Sequence, residues 1–144
     1  MRSASTLTCG GKKFMPRQSN RRELEDLESE GGVVMDRCVN LHEAELDPLP
    51  LEENDILAGR PAAAVKALGE FSGTEFGVWS LTSGTVRDVE VDEVFVVLEG
   101  DATVRFETGE SIELTPGVFV RLHAGERTEW EVRSLLRKLY VAAG

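Results

Sequence analysis

The side chains best suited to chemistry gather in the C-terminal half of the chain. One block, Gly84 to Gly100, carries Arg87, Glu90, Asp92 and Glu93, and a second, Gly117 to Gly125, carries Arg121 and His123. Trp79 precedes both blocks, and Thr128, Trp130 and Tyr140 follow them. A carboxylate such as Glu93 can take a proton as a general base, and a guanidinium such as Arg87 can clamp a ligand oxygen or offset developing negative charge. The Tyr140 hydroxyl can orient a ligand or act as an acid, and Thr128 offers a further polar contact. Trp79 and Trp130 are suited to apolar walls, with core packing as their simpler role. For Glu93 and Arg87 the simpler role is a structural ion pair. His123 falls at a turn, which favours an exposed or capping role. Cys38-Val-Asn-Leu-His42 has a loose metal-ligand spacing without a second pair. The acids Glu90, Asp92, Glu126, Glu129 and Glu131 read as surface charge.

These residues have to be positioned by strands. From Thr74 onward the hydrophobic period is two, clearest where Ala102, Val104 and Phe106 alternate with Thr103, Arg105 and Glu107. The pattern predicts strands at 74–81, 87–91, 94–98, 102–106, 111–114, 118–122, 128–132 and 137–141. Turn chemistry separates them at Thr82-Ser-Gly84, Glu99-Gly100-Asp101, Thr108-Gly109-Glu110, Thr115-Pro-Gly117 and Ala124-Gly125. Many short strands with Gly-rich turns indicate an antiparallel sandwich or barrel.

Three segments are expected: an N-terminal extension over 1–34, a lead-in arm over 35–72 and a barrel over 73–144. The extension is read as partly disordered or as one short helix across Arg21–Glu28, broken by Gly31-Gly32. In the arm, Ala62–Leu68 suits either a short helix or an extended piece.

The formal net charge of −10 is uneven: residues 1–34 sum to +1 and the remainder to −11. An acidic body without a basic patch excludes nucleic acid and anionic membrane as expected partners. No apolar run is long enough to span a bilayer, and the N-terminus has no apolar signal core. Cys9 and Cys38 are the only cysteines, expected as free thiols in a reducing cytoplasm.

Gly77-Val-Trp79, Thr82-x-Gly-Thr85, Asp92-Glu93, Val97-Leu-Glu-Gly100, Ala124-Gly125, Thr128-Glu-Trp-Glu-Val132 and Arg137-Lys-Leu-Tyr140 together resemble the cupins. The similarity is greatest to the small single-domain group of (S)-ureidoglycine aminohydrolase and the ethanolamine-utilisation cupins. It covers about half of the chain, Gly73 to Ala142. The resemblance implies an all-β, double-stranded β-helix (jelly-roll) barrel.

It also implies where a metal would sit, since the typical cupin centre is three imidazoles plus a carboxylate. Glu93 and Gly100 match the end of the first motif. The two histidine positions fall on Arg87 and Val89, on Val86 and Asp88, or, counted from Gly84, on Glu90 and Asp92. In the second motif Thr128 stands where the third histidine belongs. None of these positions is histidine, so no metal and no cofactor is expected. Residual hard-ion binding by Glu90, Asp92 and Glu93 stays open, although alternation lets at most two of them converge.

The expected function is therefore a single-domain cupin with a degenerate metal site, binding a small polar molecule in its barrel. Arg87, Glu93, Thr128 and Tyr140 are the expected polar contacts, with Trp79 and Trp130 as walls. A metal-independent or weakly metal-dependent lyase, isomerase or hydrolase using Glu93 as base, with Arg87 and Tyr140 assisting, is the alternative. A structural or dimerisation module is the third reading, and a homodimer is expected.

Overall fold

The computed structural model describes residues 37–143. The extension over 1–34, with its candidate helix, lies outside the described residues. Two compact units divide at Ala44/Glu45. In the first, the described residues form a turn at Leu41–Glu43, where Asn40 Oδ1 accepts from the His42 amide at 2.9 Å. Cys38 is disulfide-bonded, which corrects the expectation of free thiols.

The second unit is a nine-stranded antiparallel sheet. Its strands are β1 (Asp47–Leu49), β2 (Ile56–Gly59), β3 (Ala63–Phe71), β4 (Thr74–Leu81), β5 (Gly84–Val89), β6 (Glu93–Phe106), β7 (Ser111–Leu114), β8 (Phe119–Leu122) and β9 (Arg127–Ala143). A single 3₁₀ turn, Glu53–Asp55, leads into β2. The run beginning at Ala62 is thus extended. Its alternative as a helix loses because β3 pairs along its length with β4, from Ala63↔Leu81 to Phe71↔Thr74.

Two long strands organise the sheet. The first half of β9 lies between β5 and the end of β6, with Trp130 opposite both Val86 and Val104. Its second half lies between β4 and the start of β6, with Lys138 opposite both Trp79 and Val97. β7 and β8 extend β6 on its other edge. Sequence patterning divides β6 and β9 into two strands each, yet both run through. At Glu99-Gly100-Asp101 the chain bulges instead of reversing, and the register shifts there three times. Gly100 has φ +115°, and a Cβ at this position would press on Leu135 O and lie 2.6 Å from Leu136 Cα. Glycine lets β6 bend against β9 at that crossing.

Inward residues of both halves form one core. Leu81, Phe95, Val97, Val104, Leu114, Leu122, Trp130 and Leu136 are buried together. Among the described residues, no helix is long and apolar enough to cross a membrane.

Candidate functional site

Beside that core lies a cavity of about 390 Å³. β9 supplies Trp130, Lys138 and Tyr140, β4 supplies Trp79, and β5 with its C-terminal continuation supplies Val86, Arg87, Asp88 and Glu90. Glu93 opens β6, and Leu49–Glu52 forms a wall from the lead-in. Alternation explains the set: Lys138 and Tyr140 share a strand face, as do Val86, Asp88 and, just beyond the strand, Glu90. Five of the six expected site residues line this space: Trp79, Arg87, Glu93, Trp130 and Tyr140. The sixth, Thr128, is buried behind it and borders a second, more open groove of about 870 Å³ that also holds Arg87, Asp88, Arg105 and Arg127.

The charged partners differ from the expected pairing of Arg87 with Glu93. Arg87 Nε is 3.3 Å from Asp55 Oδ1, in an ion pair about half exposed on both sides. Glu93 instead meets Lys138, with Nζ 2.8 Å from Oε2 and the two side chains 7% and 11% exposed. The same Nζ lies 4.6 Å from the ring centre of Trp79, 4.3 Å from that of Phe95 and 4.8 Å from that of Trp130. Trp79 and Phe95 each pack on Trp130 with ring centres 5.7 and 5.6 Å apart, so the three rings form one continuous surface around the ammonium. A cation over a desolvated aromatic face gains about 2 kcal/mol or more. Removing one member of a buried ion pair costs about 3–5 kcal/mol. Lys138 is therefore held from two directions.

Glu90 is buried, against its reading as surface charge. Its backbone is pinned by the Glu126 carbonyl and the Gly125 amide, both at 2.8 Å. Oε2 accepts from Thr128 Oγ1 at 2.6 Å and from Trp130 Nε1 at 3.0 Å. Burial pushes the Glu90 carboxyl above the usual carboxylate range, against the pull of those donors, and neighbouring Asp88 adds to the rise. Burial raises Asp88 as well, opposed by the Val89 amide that donates to its Oδ1 at 2.8 Å.

Tyr140 donates its hydroxyl to Glu75 Oε2 at 2.7 Å. Burial, followed by that bond to Glu75, drives the phenol well above its ordinary value. It is a weak acid committed to a neighbour. Asp92 lies outside the cavity, where Oδ1 accepts from the Ala124 amide at 3.1 Å and Arg121 at 3.3 Å; these donors, the amide first, hold its carboxyl low. His123 is exposed, and its amide donates to Glu126 Oε1 at 2.7 Å.

Lys138 is the site residue that sequence reasoning passed over, and Glu90 was weighed only as surface charge or as a residual hard-ion ligand. The signal for Lys138 was its spacing of two from Tyr140, which puts both on one strand face. For Glu90 it was the same spacing from Val86 and Asp88.

The EutQ-like cupin domain matches residues 68–140, half of the sequence, and those residues contain β4 to β8 and nearly all of β9. The chain belongs to the EutQ-like cupin family. Its curled antiparallel sheet is accordingly the jelly-roll barrel of the cupins. Solved structures share the fold at low identity. A protein of unknown function from Pseudomonas syringae pv. tomato is 24% identical, with a TM-score of 0.64, 76% of this chain covered and 46% of that one. The cupin described here thus spans less than half the length of that protein. EutQ of Clostridium difficile is 18% identical, with a TM-score of 0.51 and coverage of 66% and 80%. Ectoine synthase of P. lautus is 22% identical, with a TM-score of 0.50 and coverage of 62% and 67%. No curated protein matches this sequence.

A cupin metal would need donors that this cavity does not offer. Val86 and Asp88 are the pair that faces inward at the histidine positions, and Val86 has no lone pair. Thr128 has given its hydroxyl to Glu90, and Glu93 is engaged by an ammonium. Among the described residues, no three His, Cys, Asp or Glu side chains group so as to hold a metal ion. The residues present do not fit a transition-metal centre, whose ligands are imidazole-rich.

Proposed function

We propose that this cupin binds a small polar molecule in the cavity of about 390 Å³, at a site where the family's metal ligands have been lost. The observation that carries the reading is the convergence of Asp88, Glu90, Glu93 and Tyr140 on one space walled by Trp79 and Trp130. Aromatic walls with a few converging polar groups are the general make-up of a small-molecule site. The cations of the lining are each matched by an acid, Arg87 by Asp55 and Lys138 by Glu93. Among the described residues, Asp88 and Glu90 have no cation within ion-pair distance. The lining therefore offers acceptors in excess, and the favoured ligand is rich in hydrogen-bond donors. Isothermal titration with small amines, polyols and carboxylates tests this on wild type and on Trp79→Ala. Binding by a donor-rich member that weakens in the variant is expected. A set of such compounds that all fail to bind, or that bind the variant equally well, refutes the reading.

One observation favours a second reading, acid–base catalysis. Burial raises Glu90, which moves a carboxyl toward the range useful at neutral pH. Glu93 is less suited to that role, because its Oε2 is occupied by the Lys138 ammonium at 2.8 Å. In this reading Glu90 carries the proton, Glu93 positions Lys138, and Glu90→Gln abolishes turnover while leaving ligand binding measurable.

A further inference from the structure

We infer that Lys138 is the resident cation of this barrel, its ammonium standing against Glu93 in the electrostatic role that a metal ion fills in metal-dependent cupins. The inference does not depend on which ligand the cavity accepts, and it starts from a mismatch. Glu93 is the one residue of the family's metal set that this sequence retains, and an ionised carboxylate shares the barrel with Asp88 and Glu90 at a cost that a positive partner offsets. The partner is supplied from the opposite long strand. Lys138 of β9 reaches Oε2 of Glu93 at 2.8 Å, although the residues are 45 positions apart in the chain.

Three features set this pair apart from an incidental ion pair. Both side chains are almost wholly enclosed, at 7% and 11% exposure, whereas in the ion pairs of Lys66, Arg87, Arg105, Arg121, His123 and Arg133 the side chains are exposed by 36% or more. The ammonium is also enclosed by Trp79, Phe95 and Trp130, all with ring centres within 4.8 Å. Rings of this kind stabilise an organic cation and offer nothing to a hydrated metal ion, which needs lone pairs. Finally, Lys138 lines the cavity itself, so the paired charge forms part of the wall that a ligand would meet. A tethered ammonium differs from a metal in a useful respect: it cannot be removed by a chelator, and it offers N–H donors rather than open coordination positions.

The geometry predicts that the space vacated by the lysine amine is a site for a small alkylammonium ion. The test uses the full chain and reads thermal stability. Lys138→Ala should melt well below wild type and regain several degrees with millimolar ethylammonium or propylammonium chloride. That gain should exceed the response of wild type and of Lys138→Ala/Glu93→Gln, whose own response measures any amine held by Asp88 and Glu90. Lys138→Met provides a second arm if the alanine variant does not fold. It retains the volume and strands Glu93 without a partner, so Lys138→Met/Glu93→Gln should be more stable than Lys138→Met alone. Wild type should take up no stoichiometric Zn²⁺ or Mn²⁺ in equilibrium dialysis. Three results each overturn the inference: stoichiometric metal uptake by wild type, a Lys138→Met protein as stable as wild type, or an amine-induced gain in Lys138→Ala that is no larger than in wild type or in Lys138→Ala/Glu93→Gln.

Discussion

The bond from Thr128 to Glu90 gives a sharp test of how this cavity holds its buried acid. Thr128 is 2% exposed and Glu90 6%, and Oγ1 lies 2.6 Å from Oε2. Trp130 Nε1 is the second donor to that oxygen, at 3.0 Å, and also donates to Thr128 Oγ1 at 3.0 Å, so Thr128→Val removes one of the two bonds to Glu90 and one acceptor of the indole while leaving the shape nearly unchanged. A hydrogen bond to an ionised group contributes about 1.5–3 kcal/mol, and one between neutral groups about 0.5–1.5 kcal/mol. Thr128→Val should therefore cost about 2 kcal/mol in the wild-type background near pH 8, and about 1 kcal/mol in a Glu90→Gln background. Urea unfolding followed by tryptophan fluorescence measures all four corners of that cycle. The pH dependence has a definite sign. The folded carboxyl of Glu90 lies above its unfolded value, so its favourable contribution is complete below the ordinary carboxylate range and is lost as pH rises through the raised folded value. Glu90→Gln should flatten that decline and Thr128→Val should steepen it, with Asp88, raised in the same direction, supplying a residual slope. Equal costs of Thr128→Val in both backgrounds would refute the assignment of this bond to an ionisable carboxyl.

Three further substitutions probe the scaffold and the rim. Gly100→Ala places a Cβ against the β9 backbone at φ +115°, so a loss of at least about 1–3 kcal/mol is expected in thermal unfolding. Tyr140→Phe removes the 2.7 Å donor to Glu75 and should cost about 1.5–3 kcal/mol by urea unfolding, a loss that Glu75→Gln in the same chain reduces. Arg87→Ala breaks an ion pair about half exposed on each side and should cost less than about 1 kcal/mol, even though Arg87 lines the cavity; its effect belongs in ligand affinity, measured by titration calorimetry.

What the sequence made legible follows from which signals are local. Strands β4 and β7 lie where the two-residue period puts them, because alternation is a property of neighbouring residues. An antiparallel sandwich or barrel was legible in the same way, whereas the family and its jelly roll came from resemblance to motifs such as Asp92-Glu93 and Val97-Leu-Glu-Gly100. Continuity of β6 and β9 was not legible, because glycine flanked by polar residues is the mark of a reversal and equally of a bulge. Only the close approach of Leu135 and Leu136 to Gly100 decides between them, and that contact is 35 residues distant. Ala62–Leu68 was ambiguous for a related reason: alanine favours a helix weakly, and pairing with β4 overrides so small a preference. At the site, Trp79, Trp130, Arg87, Glu93 and Tyr140 were singled out in the sequence and line the cavity. The partners were not, because Lys138 and Asp55 reach them across strands, and an ion pair leaves no trace in spacing.

Those missed partners change what kind of chemistry the barrel supports. An open arginine–carboxylate pair would have offered an anion clamp beside a base, whereas the observed arrangement closes both charges. Arg87 is neutralised by Asp55 at the rim, and Glu93 by Lys138 within the aromatic surface. The groups left with electrostatic freedom are Asp88 and Glu90, both with carboxyls raised by burial. A ligand that brings donors or positive charge to them reverses their desolvation penalty, while an anion increases it. Binding of a donor-rich ligand should accordingly release protons near the raised carboxyl range, because the acids ionise as the ligand docks. Calorimetry in buffers of different ionisation enthalpy measures that release. Proton uptake on binding would show that the ligand is an anion and that the acids serve only to hold the fold.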